Sequence, residues 1–119
     1  THRKTNRKKI EIISNKLSLE AKKYDSIASD KEMNRNKLKE IGNKTIIILS
    51  GFEATFIDLK DKTKLGDFDN LIKEKNNLVE YIRKLDNKKD INIDKESQNI
   101  KNKLLDFKSN IEQVKSYLK

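Results

Sequence analysis

Apolar residues recur at alternating intervals of four and three along the last part of the chain. The series is Ile100, Leu104, Phe107, Ile111, Val114 and Leu118. Side chains spaced in this way line one narrow face of a helix, which is the seam of a coiled coil. Because such a seam has to be buried against other helices, the spacing predicts an all-α fold.

The composition also favours helix. The 119 residues include no Pro and only 3 Gly, and the abundant Lys side chains lose little rotamer freedom on a helical surface. Hydrophobic residues make up 34% of the chain, but their regular spacing favours a narrow-cored bundle over disorder. We expect residues 1–119 to form one elongated helical domain, excised from a longer protein, with a basic and disordered start at 1–8.

Three further apolar stripes predict three more helices. Predicted helix 1 covers about Lys8 to Ala28, helix 2 about Asp30 to Lys62, and helix 3 Phe68 to about Asn87. A polar loop, Asn87 to Asn92, precedes helix 4, which Asp94 opens. The stripes are Ile10, Ile13, Leu17, Ala21, Tyr24 and Ala28; then Leu38, Ile41, Thr45, Ile48, Leu49, Phe52, Phe56 and Leu59; then Phe68, Leu71, Leu78, Ile82 and Leu85, flanked by Ile72 and Val79.

Local signals place the helix boundaries. Ser29 to Glu32 reads as a capping box that starts helix 2. This helix is long, and Gly42 and Gly51 are its candidate weak points, since each costs ~1 kcal/mol relative to Ala. The β-branched run at 46–49 resembles a strand, but no second strand-like segment exists to pair with it.

The junction between helices 2 and 3 is predicted at a Gly-Asp pair. Gly66 can supply a left-handed C-cap for helix 2, and Asp67 is a suitable N-cap for helix 3. Four amphipathic helices with short loops pack most simply as an up-down-up-down antiparallel bundle. The alternative is a three-helix rod in which helices 1 and 2 merge.

The net charge of +9 raises the question of nucleic-acid binding. Five positive residues lie in the first nine positions, whereas the others are interleaved with Asp and Glu. Arg, which is best suited to bidentate contacts with phosphate and guanine, supplies only 4 of the 28 basic residues. We therefore interpret the lysines as a solvated surface and expect no specific nucleic-acid partner. The bias towards Lys, Asn and Ile is typical of an AT-rich genome.

The chain lacks the residues and motifs that several classes of function require. His2 is the only His and Cys is absent, so thiolate chemistry is excluded and a His-based catalytic site is not expected. No Walker, Rossmann or EF-hand motif and no metal-ligand spacing occurs, and we expect neither an enzyme nor a required cofactor. The richest apolar stretch, residues 45–52, is far shorter than the ~18 residues that span a membrane, so no transmembrane segment is predicted.

Residues 56–75 form the candidate binding site. Lys60, Lys62 and Lys64 lie close to a helix start, where backbone N–H groups and the helix dipole favour phosphate. Phe68 would offer a purine a stacking face. The structural alternative is that Phe68 begins the buried stripe of helix 3, Asp67 caps that helix, and the lysines solvate the end of helix 2.

This segment, FIDLKDKTKLGDFDNLIKEK, resembles the nucleotide-binding segment of the Plasmodium reticulocyte-binding-like adhesins. The matching residues are Phe56, Lys60, Lys62, Lys64, Phe68, Asp69, Lys73 and Glu74. The resemblance implies an extracellular, coiled-coil-rich fragment of a merozoite surface protein that takes part in the recognition and invasion of red cells. It also implies an ATP or ADP site at Lys60, Lys62, Lys64, Phe68, Asp69 and Lys73. Asp67 stands near this site and repels phosphate, so we expect an affinity of only about 10⁻⁴ M.

Two other classes of protein fit the same helices. One is a helical surface protein of another AT-rich pathogen, such as a spirochaete lipoprotein, that binds a host cell-surface or serum protein through a helix face. The other is a structural coiled-coil spacer. The first would carry a lipidation Cys upstream in its gene, whereas the adhesin would be a very long helical protein with a distal membrane span.

Overall fold

The fold is all-α, as the spacing predicts. The computed structural model describes residues 2–27, 30 and 32–118, the first three by their backbone alone. Within these ranges there is no strand. The helices are α1 (His2–Asp25), α2 (Arg35–Ser50), α3 (Glu53–Thr63), α4 (Asp67–Lys84) and α5 (Ile93–Ser116), and a short 3₁₀ helix (Leu85–Asn87) follows α4.

The helices α2 and α3 are two segments of one arm. Gly51 and Phe52 interrupt the helix, but both keep right-handed backbone angles, with φ of −67° and −80°. The Gly51 N–H still bonds to the Ile47 carbonyl, and the Phe56 N–H bonds to the Phe52 carbonyl. The molecule is therefore a four-helix bundle in which α2 and α3 together take the place of one long helix, here called the α2–α3 arm. Gly51, one of the two expected weak points, interrupts this arm.

Neighbouring arms run antiparallel. Glu11, early in α1, pairs with Lys115, late in α5, whereas Asp25 at the end of α1 pairs with Lys101. The α4 helix packs against α2, α3 and α5, and α5 closes the ring by packing along α1. The bundle measures 48 × 24 × 18 Å, which confirms the elongated up-down-up-down arrangement.

Most residues of the predicted stripes form the core, whereas Ile41 and Ile48 of predicted helix 2 are only partly buried. All six residues of the α5 seam are buried, and so are the helix 3 residues Phe68, Leu71, Leu78, Val79, Ile82 and Leu85. In the core the ring of Phe56 lies 6.2–6.3 Å from those of Phe52, Phe68 and Phe107. Aromatic rings at these separations and tilted against one another are favourably placed.

The predicted start of helix 2 is wrong. The α2 helix begins at Arg35, where the Asn34 side chain accepts a hydrogen bond of 3.0 Å from the Lys37 N–H. Asp30 belongs to the preceding turn, in which its carboxylate accepts from the Glu32 N–H. Ala28, Ser29 and Lys31 lie outside the described residues, so the capping box is not seen. The three-helix alternative is also wrong, because α1 ends at Asp25.

The cap between α3 and α4 differs from the prediction. Lys64, not Gly66, is left-handed, with φ 60° and ψ 20°, and its N–H bonds to the Lys60 carbonyl at 2.8 Å. That bond satisfies a carbonyl at the end of α3 and offsets the strain of a non-glycine residue in this region. Gly66 has φ −65° and precedes α4, and Asp67 is the first residue of α4 rather than its side-chain cap.

Residues 2–8 of the basic start belong to α1, which begins at His2. The Arg7 guanidinium donates to the Leu118 carbonyl at 3.3 Å, and Asn6 is buried. Because α1 and α5 are antiparallel, the first turns of α1 lie beside the C-terminal end of α5. The partial negative charge of that end favours basic side chains.

Candidate functional site

Two of the lysines predicted to bind phosphate are already paired with carboxylates. Lys60 donates to Asp69 at 2.8 Å and so joins α3 to α4. Lys62 lies 3.1 Å from Asp58, one turn earlier in α3. Hydrogen bonds donated by Lys62 and Lys9 lower the pKa of Asp58, and the hydrogen bond that Lys62 donates to Asp58 raises the pKa of Lys62.

Phe68 does not face solvent. Its side chain is 0% exposed and packs against Phe56, so Phe68 begins the buried stripe of α4. Asp67 and Asp69 occupy the first turn of α4, where they suit the helix dipole and oppose phosphate. Lys64 and Lys73 remain exposed. The segment joins two helices in the fold, and nucleotide binding there stays a prediction.

The sequence analysis missed an apolar groove between α1 and the α2–α3 arm. Ile12, Leu19 and Ile47 stand on its walls with 48%, 61% and 71% of their surface exposed. Phe52 and Ile48 form its floor. The groove consists of two adjoining depressions of about 670 and 340 Å³. The lining residues are Lys9, Ile12, Ile13, Lys16, Leu19, Glu20, Lys23, Ile47, Ile48, Gly51, Phe52, Ala54, Thr55 and Asp58.

Polar bridges hold the two walls together at the ends of the groove. At one end Lys9 donates to Asp58 at 3.2 Å, from α1 to α3. At the other end the buried Thr45 hydroxyl lies 2.8 Å from the Tyr24 hydroxyl and 2.9 Å from the Glu20 carboxylate. Separating α1 from α2 would break both of these hydrogen bonds of the Thr45 hydroxyl, which makes the separation unfavourable. The groove is thus a fixed feature of the bundle.

Lysines follow the apolar wall of α1. Lys9, Lys16 and Lys23 lie seven residues apart and therefore on one side of the helix. Lys9 is paired with Asp58, and Lys23 is 2.6 Å from the carboxylate of Glu20. Among the described residues Lys16 has no ion-pair partner, so the middle of the groove carries an uncompensated positive charge.

Gly51 leaves the floor of the groove open. It lines both depressions, and a Cβ built on it would lie 3.4 Å from the Ile48 carbonyl oxygen, an ordinary contact. With φ of −67° the residue has no need of glycine for its backbone. A side chain placed here would fill the groove without straining the arm, which makes Gly51 a useful site for experiments.

One sequence signal could have revealed the groove. Ile12 and Leu19 are spaced by seven residues but lie off the stripe that α1 buries, and Ile47 lies beside the core positions of its run. A second apolar stripe on a bundle helix indicates a second contact. Whether this second stripe is exposed depends on the distance between α1 and the α2–α3 arm, which the sequence pattern does not contain.

Other kinds of site find no support in the described part of the chain. No group of three His, Asp or Glu side chains there is close enough to hold a metal ion. No helix in that part is both long enough and apolar enough to cross a bilayer. Comparisons with protein-family models, curated proteins and solved structures found no significant match. Function therefore has to be argued from the groove and the sequence.

Proposed function

We propose that this protein is a binding module of a cell-surface adhesin that takes part in red-cell recognition and invasion. The observation that carries the proposal is the groove between α1 and the α2–α3 arm. Burying Leu19 and Ile47 in a complex would gain ~25 cal/mol for each Å² removed from water, which makes these side chains suitable anchors for a partner. A structural spacer would not require such a groove.

The red-cell assignment is supported by the resemblance of residues 56–75 to the reticulocyte-binding-like adhesins. An elongated helical bundle is consistent with the long helical regions of such proteins, and its extracellular location follows from the same assignment. A surface protein of another AT-rich pathogen would use the groove in the same way on a different host protein. The identity of the bound cell distinguishes these two proposals.

The test is binding of the fluorescently labelled protein to intact red cells at physiological salt. A chain of charge +9 adheres to anionic cell surfaces without specificity, so the control has to keep that charge. The double variant Leu19→Gln, Ile47→Gln does so, and both sites are exposed enough for the fold to persist. We expect the wild type to bind untreated cells, to lose binding to protease-treated cells, and to bind more than the double variant.

Equal binding of the protein to treated and untreated red cells would contradict the adhesin proposal, because it would leave only charge adhesion. Binding that requires cell-surface protein but is unchanged in the double variant would support the adhesin proposal. The contact with the partner would then lie on another face of the bundle. Binding to a serum protein instead of red cells would favour the alternative pathogen.

A further inference from the structure

We infer that the groove between α1 and the α2–α3 arm receives an acidic amphipathic helix of the partner protein. The inference rests on the proposed binding function and adds the chemistry of the partner. Laying the apolar face of a helix into a groove between two helices is a common mode of peptide recognition. The length, apolar lining and charge of the groove each point to such a ligand.

The length of the groove suits a short helix. The lysines that mark it, Lys9 and Lys23, are separated by 14 residues of α1, which corresponds to ~21 Å along the helix axis. A partner helix of about four turns matches this distance. Ile12 and Leu19 are about 10 Å apart on the same wall, so they would meet partner residues at positions i and i+7, while Ile47 would meet the opposite side of the same ridge.

The charge of the groove selects an acidic ligand. Lys16 has no carboxylate partner in the described part of the chain, and Lys9 shares the carboxylate of Asp58 with Lys62, which is not among the residues that line the groove. Carboxylates beside the apolar ridge of a ligand would compensate these lysines, and the overall charge of +9 would speed its approach. A second copy related by a two-fold axis would instead oppose like charges, since both copies present the same lysines.

The probe is a designed helical peptide of about 15 residues with Leu at helical spacing and Glu on both sides of the ridge. The matched peptide carries Lys in place of every Glu. Both are titrated into the full ¹⁵N-labelled chain, with affinities measured by fluorescence anisotropy. We expect the acidic peptide to shift the amides of residues lining the groove and to bind more tightly than the basic peptide, with an advantage that shrinks as salt is added.

Three variants locate the binding. Leu19→Gln should weaken the acidic peptide about tenfold, whereas Leu105→Gln, which removes an exposed apolar residue of α5, should not. Lys16→Glu should weaken it about threefold or more, unlike Lys73→Glu on α4. Gly51→Leu should abolish binding by filling the floor. Melting temperatures that do not fall below that of the wild type identify these losses as effects on the groove rather than on the fold.

Several results would overturn the inference. They are equal affinity for the acidic and basic peptides, amide shifts away from the groove, a dimer that Leu19→Gln dissociates, or binding to anionic vesicles of phosphatidylserine without binding to the peptide. Failure of the adhesin proposal is recognised separately. In that case the acidic peptide binds the groove, but the protein does not bind red cells.

Discussion

At the scale of single residues, a polar network is buried where α1 meets α2. Tyr24, Thr45 and Glu20 are all below 3% exposed, and their side chains are linked by hydrogen bonds of 2.8 and 2.9 Å. The Glu20 carboxylate is also bonded to Lys23 at 2.6 Å, so its charge is compensated at the surface. The network fixes the spacing of the two helices that border the groove.

Because of this network, the free energy of unfolding is expected to change with pH in the alkaline range. Burial, aided by the nearby Glu20 charge, raises the pKa of Tyr24 from 10 to about 12, against the opposing bond from Thr45. Between these pH values the unfolded chain releases the phenol proton while the folded protein keeps it, so the contribution of Tyr24 to stability is fully present below pH 10 and is lost as the pH rises towards 12. The loss is ~2–3 kcal/mol, at ~1.4 kcal/mol per unit.

Tyr24→Phe should therefore reduce the fall in stability over this window, as measured by urea unfolding at successive pH values. Other ionisable groups are the same in both proteins, so the difference between the two curves isolates Tyr24. Parallel curves would show that the Tyr24 phenol is not held neutral by the fold.

The segment from Lys60 to Lys73 supports a second prediction at this scale. If the resemblance to the adhesins extends to function, ATP should shift the amides of this segment most, and salt should weaken the effect. Lys62→Gln with Lys64→Gln should reduce the shifts. Asp67→Asn should increase them, because it removes a carboxylate that repels phosphate at the start of α4.

Lys84→Gln with Lys95→Gln is the matched control, since it removes the same charge from other exposed positions. Shifts that are spread evenly over all Lys-rich faces would show that the nucleotide is a diffuse counterion. Nucleotide binding would then be absent from this segment, and its role would be confined to the junction of α3 and α4.

At the scale of helices, two glycines of the same arm have opposite roles. Gly42 is buried where α2 packs on α4, and a Cβ built on it would lie only 2.9 Å from the γ2 methyl of Ile82. That methyl is attached to a β-branched carbon and cannot swing away. The close approach of α2 to α4 thus requires Gly42, whereas Gly51 faces the open groove and has room for a side chain.

Alanine at the two positions should therefore give opposite changes in the free energy of unfolding. Gly51→Ala should stabilise by ~0.4–1 kcal/mol, since the backbone already suits an L residue and the unfolded chain loses entropy. Gly42→Ala should destabilise, because overpacking costs ~1–3 kcal/mol and outweighs the gain in helix propensity. Chemical denaturation measures both, and stabilisation by Gly42→Ala would mean that α2 and α4 are further apart than described.

At the scale of the whole molecule, charge is unevenly distributed. Most lysines alternate with acidic residues and pair with them, as do Lys44 with Glu40 and Lys84 with Glu80. The first nine residues carry five positive charges and no acidic residue. This end of the elongated bundle is therefore where a polyanion would bind without sequence specificity.

Replacing Arg3, Lys4 and Lys8 with Gln should remove most binding to duplex DNA. For the binding that remains, the slope of the logarithm of the binding constant against the logarithm of the salt concentration should become smaller in magnitude by up to ~3. Arg7 and Lys9 are left in place because they contact Leu118 and Asp58. Replacing Lys73, Lys84 and Lys95 is the control with equal charge. Sequence-specific binding that survives the first set would contradict our interpretation of the lysines as a solvated surface.

The sequence by itself determined the helices and most of the core. The seam of α5 was predicted residue by residue, because helical periodicity is a local property and burial follows from it. Tertiary structure decided the rest. Lys64 adopts the left-handed cap through its own backbone bond, and Phe68 turns inward onto Phe56. The groove is open because of the distance at which α1 and the α2–α3 arm pack, and the residues that bridge them, such as Lys9 and Asp58, are 49 positions apart in the chain. Whether an apolar side chain such as Leu19 is covered depends on that distance, which no local pattern contains.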